Sequence, residues 1–305
     1  MKKRLLPLVL SLLFAKSLLA QQIIPLYKDS IPNSTGYKMT EIPVKWGKET
    51  MPSGVRNVSE PSIAVYLPDS KTTTGTAVII CPGGGYFFEN SGPEGINIAQ
   101  EFAKNGITAF VLKYRLPYDS TMKDKSIGPL QDAQQAIKLV RQRAAEWNID
   151  PNKIGIMGFS AGGHLASTAA THFNKSFIPN AERTSLRPDF AVLIYPVISF
   201  TEALMHKGSR DLLIGTHPSA EQTNYFSNEL QVTKETPPTW LTHAGDDVVV
   251  PVDNSIQFYQ ALVKNKVPAE MHLYPKGGHG FVLGQPAGEW MQPLFLWLKT
   301  NGWLK

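Results

Sequence analysis

The stretch from position 153 to 167, KIGIMGFSAGGHLAS, runs an apolar segment into Ser160, which lies between Gly158 and Gly162. A serine hydroxyl attacks a carbonyl only if a base takes its proton, a third group orients that base, and donors receive the oxyanion. Glycines two residues to either side suit a sharp strand-to-helix turn, because a strained serine backbone there leaves no room for neighbouring Cβ atoms. A helix beginning at that turn also favours developing negative charge. Of the seven histidines, His279 fits the base. It sits in PKGGHGF, a glycine-rich loop after the last predicted strand, free to bring an imidazole to the serine. His164, four residues beyond Ser160 on the same helix, reads as structural, and His243 and His272, at or within strands, read as packing residues. The acid comes from LTHAGDDVVVP, where Asp247 is favoured and Asp246 reads as a turn former. CPGGGYFF supplies oxyanion donors, the backbone N–H of Gly84 or Gly85, joined by that of Ala161. A phosphate-binding loop does not fit these glycines, since no Lys-Ser/Thr follows and the spaced dinucleotide pattern is missing.

Those residues need a scaffold, and the order of elements provides one. SIAVYLP alternates like an antiparallel strand, whereas TAVIICP, ITAFVLKY, KIGIMGF, DFAVLIY and PTWLTHA are continuous apolar runs, as expected of strands buried on both faces. Between them, GPEGINIAQEFAKNG and GPLQDAQQAIKLVRQRAAEWNID carry helical spacing, with Leu130, Ala133, Ile137 and Val140 on one face. DNSIQFYQALVKNK and GEWMQPLFLWLKTNGW are further helices around a final strand, AEMHLYP. Alternating strands and helices predict a mainly parallel sheet covered on both faces, with an antiparallel N-terminal edge.

The 305 residues are 42% hydrophobic and 18% charged, which suits a globular chain with a large core. Residues 1–20 combine Lys2, Lys3 and Arg4 with a short apolar run ending at Ala20. They read as a secretory signal peptide and predict a secreted or periplasmic protein. Removing them takes away four basic residues and no acidic ones, so the formal charge falls from +5 to +1. The basicity therefore gives no argument for nucleic acid. A single cysteine, Cys81, excludes an intramolecular disulfide framework and a cysteine-rich metal site. The expected layout is a leader over 21–60 and a catalytic domain over 61–305, with a small insert near 197–236.

The segments CPGGGYFFENSGPEG, AFVLKYRLP, IGIMGFSAGGHLAS, FSNELQVTKETPPTW, HAGDDVVVPVDNS and YPKGGHGF resemble the α/β-hydrolase superfamily, and more narrowly bacterial secreted acetyl-xylan esterases and related carbohydrate esterases. The chain order serine, acid, histidine is the one that superfamily uses. The resemblance implies Ser160, Asp247 and His279 as a triad, with Pro82 where many relatives carry a histidine before the oxyanion glycines. It implies hydrolysis of acyl esters on a polysaccharide or oligosaccharide, acetyl esters of xylan foremost, without metal or organic cofactor. Tyr86 and Trp290 are candidates for lining the acyl pocket or stacking on a sugar. A general carboxylesterase or feruloyl esterase is the nearest alternative, and a non-catalytic glycan-binding member of the fold a remote one.

Overall fold

Apolar runs with no polar alternation can be strands only where both faces are covered, and the computed structural model, which describes residues 22–45 and 52–304, has that arrangement. Ten strands are present among the described residues. In chain order they are β1 (Gln22–Pro25), β2 (Ile42–Val44), β3 (Gly54–Arg56), β4 (Ser62–Tyr66), β5 (Ala77–Cys81), β6 (Thr108–Lys113), β7 (Ile154–Phe159), β8 (Ala191–Ile194), β9 (Thr239–Ala244) and β10 (Ala269–Tyr274). Eight of them form one sheet in the order β1-β4-β6-β5-β7-β8-β9-β10, and β2 and β3 form a separate hairpin. The β1–β4 and β4–β6 pairings are antiparallel, and all others in the large sheet are parallel. SIAVY is thus not the edge itself. The edge is β1, from the leader, which places part of 21–60 inside the sheet.

Helices α1 (Asn97–Lys104), α2 (Gly128–Gln142) and α3 (Ser160–Thr171) follow β5, β6 and β7. The segment after β8 holds α4 (Lys207–Ile214) and α5 (Ala220–Tyr225). Beyond it come α6 (Asp253–Lys264), the single turn α7 (Ala287–Trp290) and α8 (Gln292–Thr300). Leu130 and Ile137 of α2, Leu165 of α3 and Phe258 of α6 share one buried cluster. Ile98 and Phe102 of α1 and Leu294 and Leu298 of α8 belong to the other. The two clusters are the two covered faces of the sheet. The expected long helix stops at Gln142 and continues as a 3-10 turn, Ala144–Trp147, ended by Asn148 in the left-handed region. The C-terminal helix breaks at Met291, where α8 restarts with a proline in its first turn.

The chain reverses its winding direction between β5 and β7. From β5 it crosses to β6 on one side, and from β6 it returns past β5 to β7. Loops leaving the carboxyl ends of β5 and β7 therefore open a crevice, the usual ligand position in such sheets. The proposed signal peptide lies outside the described residues. No described helix is long and apolar enough to cross a membrane.

Candidate active site

Ser160, Asp247, His279 and the glycine loop at 83–85 all leave the sheet at the carboxyl end of a strand. Ser160 follows β7 directly, with φ of +51°, a strained value for a residue with a side chain. The flanking glycines make that turn possible by close approach. A Cβ on Gly162 would lie 2.1 Å from the Cys81 carbonyl oxygen, and one on Gly158 would lie 2.0 Å from that of Gly162. Both distances are far below van der Waals contact, so a side chain at Gly162 would push the turn away from β5 and one at Gly158 would push the first turn of α3 away from β7.

Asp247 follows β9, and His279 follows β10. Ser160 Oγ is 2.9 Å from His279 Nε2, and His279 Nδ1 is 2.7 Å from Asp247 Oδ2. The structure thus brings the three predicted residues into one hydrogen-bonded run. Asp247 also accepts the backbone N–H groups of Val249 and Val250 at Oδ1, 2.9 Å each. Burial works to raise its carboxyl pKa. Hydrogen bonds from His243 and His279, then from Val250, outweigh that and hold the group well below the usual carboxylate range. Asp246 points elsewhere and accepts the Gly278 N–H at 2.8 Å, bracing the loop that carries His279.

The glycine loop expected to hold the oxyanion packs against Ser160, where a Cβ on Gly83 would lie 3.0 Å from the serine Cβ. Gly84 and Gly85 have φ of +126° and +66°, and Tyr86 has +61°. Among the described residues, no protein group accepts the N–H of Gly84, Gly85 or Ala161, so three predicted donors are free at the turn. The loop is tied down around them. Gly83 N–H donates to Glu94 Oε2 at 2.6 Å, and Tyr114 OH donates to the Pro82 carbonyl at 2.7 Å.

Two expectations need correction. Tyr86 is 1% exposed, with its hydroxyl 2.9 Å from His164 Nδ1, so it anchors the glycine loop from beneath and offers no face to a sugar. Trp290 is 5% exposed and meets Phe159 edge to face within the core. Phe87 is the exposed aromatic of that loop, with the Arg56 guanidinium 4.2 Å from its ring centroid. His164 is structural, as expected. Its Nε2–H donates to the Phe226 carbonyl at 2.8 Å, leaving Nδ1 to accept from Tyr86, and burial lowers its pKa to about 4.

Sequence reasoning missed three residues. His243, read as packing, has Nε2 3.2 Å from Asp247 Oδ2 and 3.0 Å from the Val250 carbonyl, so Asp247 is held by two imidazoles. Its position four residues before Asp247 was a usable signal. Glu94 is buried under the loop, accepting Gly83 N–H and, at 2.9 Å, the Tyr195 hydroxyl. Burial pushes its carboxyl up, against the opposing pull of those bonds. Tyr195 in turn meets the His279 ring edge to face at 4.9 Å. Glu94 and Tyr195 are 101 residues apart, and no local pattern links them.

A strand-ended serine, histidine and aspartate on a mostly parallel eight-stranded sheet define the α/β-hydrolase fold, the fold of many carboxylic ester hydrolases. The acetyl ester-xyloside bifunctional hydrolase from Caldicellulosiruptor lactoaceticus superposes with a TM-score of 0.76 at 37% identity, over 93% of this chain and 97% of that one. The chain belongs to the BD-FAE family, whose model matches residues 63–262. It is 39% identical over 226 residues to endo-1,4-beta-xylanase B of Butyrivibrio fibrisolvens, covering 73% of this chain and 35% of the relative. It is 36% identical over 242 residues to the acetylxylan esterase of Xylanibacter ruminicola, covering 77% of this chain and 47% of the relative. The chain spans less than half the length of these two curated relatives.

Proposed function

We propose that this protein is a secreted serine esterase that removes acyl groups, acetyl above all, from a plant-cell-wall polysaccharide such as xylan. The observation that carries the reading is the hydrogen-bonded run from Ser160 through His279 to Asp247, beside three free backbone N–H groups. His279 Nε2 takes the Ser160 proton as Oγ attacks the ester carbonyl, and Asp247 orients the ring and stabilises the imidazolium that forms. The N–H groups of Gly84, Gly85 and Ala161 receive the tetrahedral oxyanion. Collapse breaks the bond to the sugar oxygen, which leaves with the proton from His279. Water, giving its proton to the same nitrogen, then attacks the acyl-serine, releasing the acid and restoring Ser160. The acetyl and xylan parts of the reading draw on the relatives' names. Export draws on the basic, then apolar, run over residues 1–20.

The test is to identify by mass spectrometry the acids released from acetylated xylan and feruloylated arabinoxylan, alongside a series of p-nitrophenyl esters. Acetate is expected from xylan, with kcat/KM falling from acetate to butyrate to octanoate. Overfilling a packed acyl site costs about 1–3 kcal/mol, or roughly 5- to 150-fold in rate. A preference for octanoate or feruloyl esters would contradict the acetyl reading. Cleavage of aryl esters with no release from xylan would leave a general carboxylesterase.

A further inference from the structure

We infer that His206 binds the alcohol part of the substrate, donating a hydrogen bond from Nε2 to a hydroxyl, ring or glycosidic oxygen of the sugar. This rests on the esterase reading above and adds a residue from the segment after β8 to the site. His206 is the N-cap of α4, and its Nδ1 accepts the Ser209 N–H at 3.3 Å while lying 2.8 Å from Ser209 Oγ. A ring nitrogen that accepts a backbone N–H carries no proton itself, so the neutral ring must carry its hydrogen on Nε2. Among the described residues no protein group accepts that hydrogen.

The ring packs beside the glycine loop that follows β5. A Cβ placed on Gly85 would lie 3.7 Å from His206 Cε1, the carbon between the two ring nitrogens. The ring is half-buried. Burial, and then the nearby His279, lower its pKa, and Asp247 pulls weakly the other way. His206 therefore stands above the oxyanion loop as a neutral donor. An acetyl group carries one acceptor, the carbonyl oxygen, which Gly84, Gly85 and Ala161 already serve. The acceptors left for His206 lie on the alcohol, and a sugar is rich in them.

The helix cap gives the experiment its control, since asparagine and serine cap helices well but do not carry an N–H as far as the imidazole does. His206→Asn, with His206→Ser as the second variant, is compared with the parent on an acetylated xylo-oligosaccharide and on p-nitrophenyl acetate. Loss of one hydrogen bond corresponds to roughly two- to tenfold. The ratio of kcat/KM on the oligosaccharide to that on the aryl ester should fall by about that factor, mainly through KM, with the melting temperature retained. An unchanged ratio would overturn the inference. So would equal loss on both substrates, because that places the histidine at the oxyanion. If the parent releases no acetate from the oligosaccharide, the xylan reading fails on its own account. The ratio is then read on glyceryl monoacetate, whose hydroxyls offer the same acceptors, and it decides the histidine's role by the same two outcomes.

Discussion

At the scale of single residues, the two adjacent aspartates separate two functions that a sequence shows only as a pair. Asp247 lies between two imidazoles and two backbone N–H groups, while Asp246 holds the Gly278 N–H. Asp247→Asn should lower kcat by about 10⁴-fold by favouring the wrong imidazole tautomer. Asp246→Asn keeps an oxygen for Gly278 and should cost no more than about tenfold. Kinetics on p-nitrophenyl acetate separate them, and a larger loss at Asp246 would reverse the assignment. His164 gives a pH signature. Its folded pKa, about 4, lies below the unfolded value of about 6.5, so the unfolded chain binds the extra proton first. The stabilisation from neutral His164 is therefore complete above about pH 6.5 and is lost as pH falls toward 4, by roughly 3 kcal/mol. His172 is shifted the same way, while Glu89 and Glu94, raised by burial, act oppositely in overlapping ranges. The readout is therefore the difference in denaturant stability between the parent and His164→Asn. That difference should stay level from pH 7.5 to about 6.5 and then shrink toward pH 4, and a pH-independent difference would show that His164 is not held neutral by the fold.

At the scale of elements, the strands and the order of the site loops were legible because buried parallel strands announce themselves as apolar runs and the glycines mark the turns between them. What was not legible depends on which way a side chain faces. Tyr86 follows three glycines and looked like a pocket aromatic, but its left-handed backbone turns the ring under the loop toward His164. Helices α4 and α5 were hidden in a stretch of mixed polarity, although Ser219 and Gln222 form a capping box, a pattern that can be read in sequence. Glu94 could not be found at all, since its partners come from β5's loop and from just beyond β8. The loop's dependence on Glu94 is testable. Glu94→Ala leaves the buried Gly83 N–H and Tyr195 hydroxyl without an acceptor, and leaving a buried donor unsatisfied costs about 1–3 kcal/mol. It should reduce kcat by roughly 5- to 150-fold, with most of the loss recovered in Glu94→Gln, whose amide oxygen can still accept from Gly83. Parent-like kcat in the alanine variant would show that the oxyanion loop holds its shape without this carboxyl.

At the scale of the whole molecule, the described part of the leader is built into the sheet and its core. Leu26 is buried in the main core, Tyr27 donates to Asp132 at 2.9 Å, and the buried Arg115–Asp132 pair also holds the Pro32 carbonyl through the Arg115 guanidinium. These ties were invisible in sequence because β1 is four residues long and ends in proline, too short for its alternation to register. The fold gathers loops from β5, β7, β9 and β10 at one crevice, and the proposed esterase function requires one activated serine there. Fluorophosphonate labelling followed by intact-mass measurement and peptide mapping reads out that activation, because the reagent phosphonylates a serine only where a base and an oxyanion site activate it. One adduct per chain is predicted, on Ser160, with ester hydrolysis lost in proportion to labelling and no adduct on Ser160→Ala. Labelling at another residue, or full esterase activity in a chain quantitatively labelled at Ser160, would contradict the account.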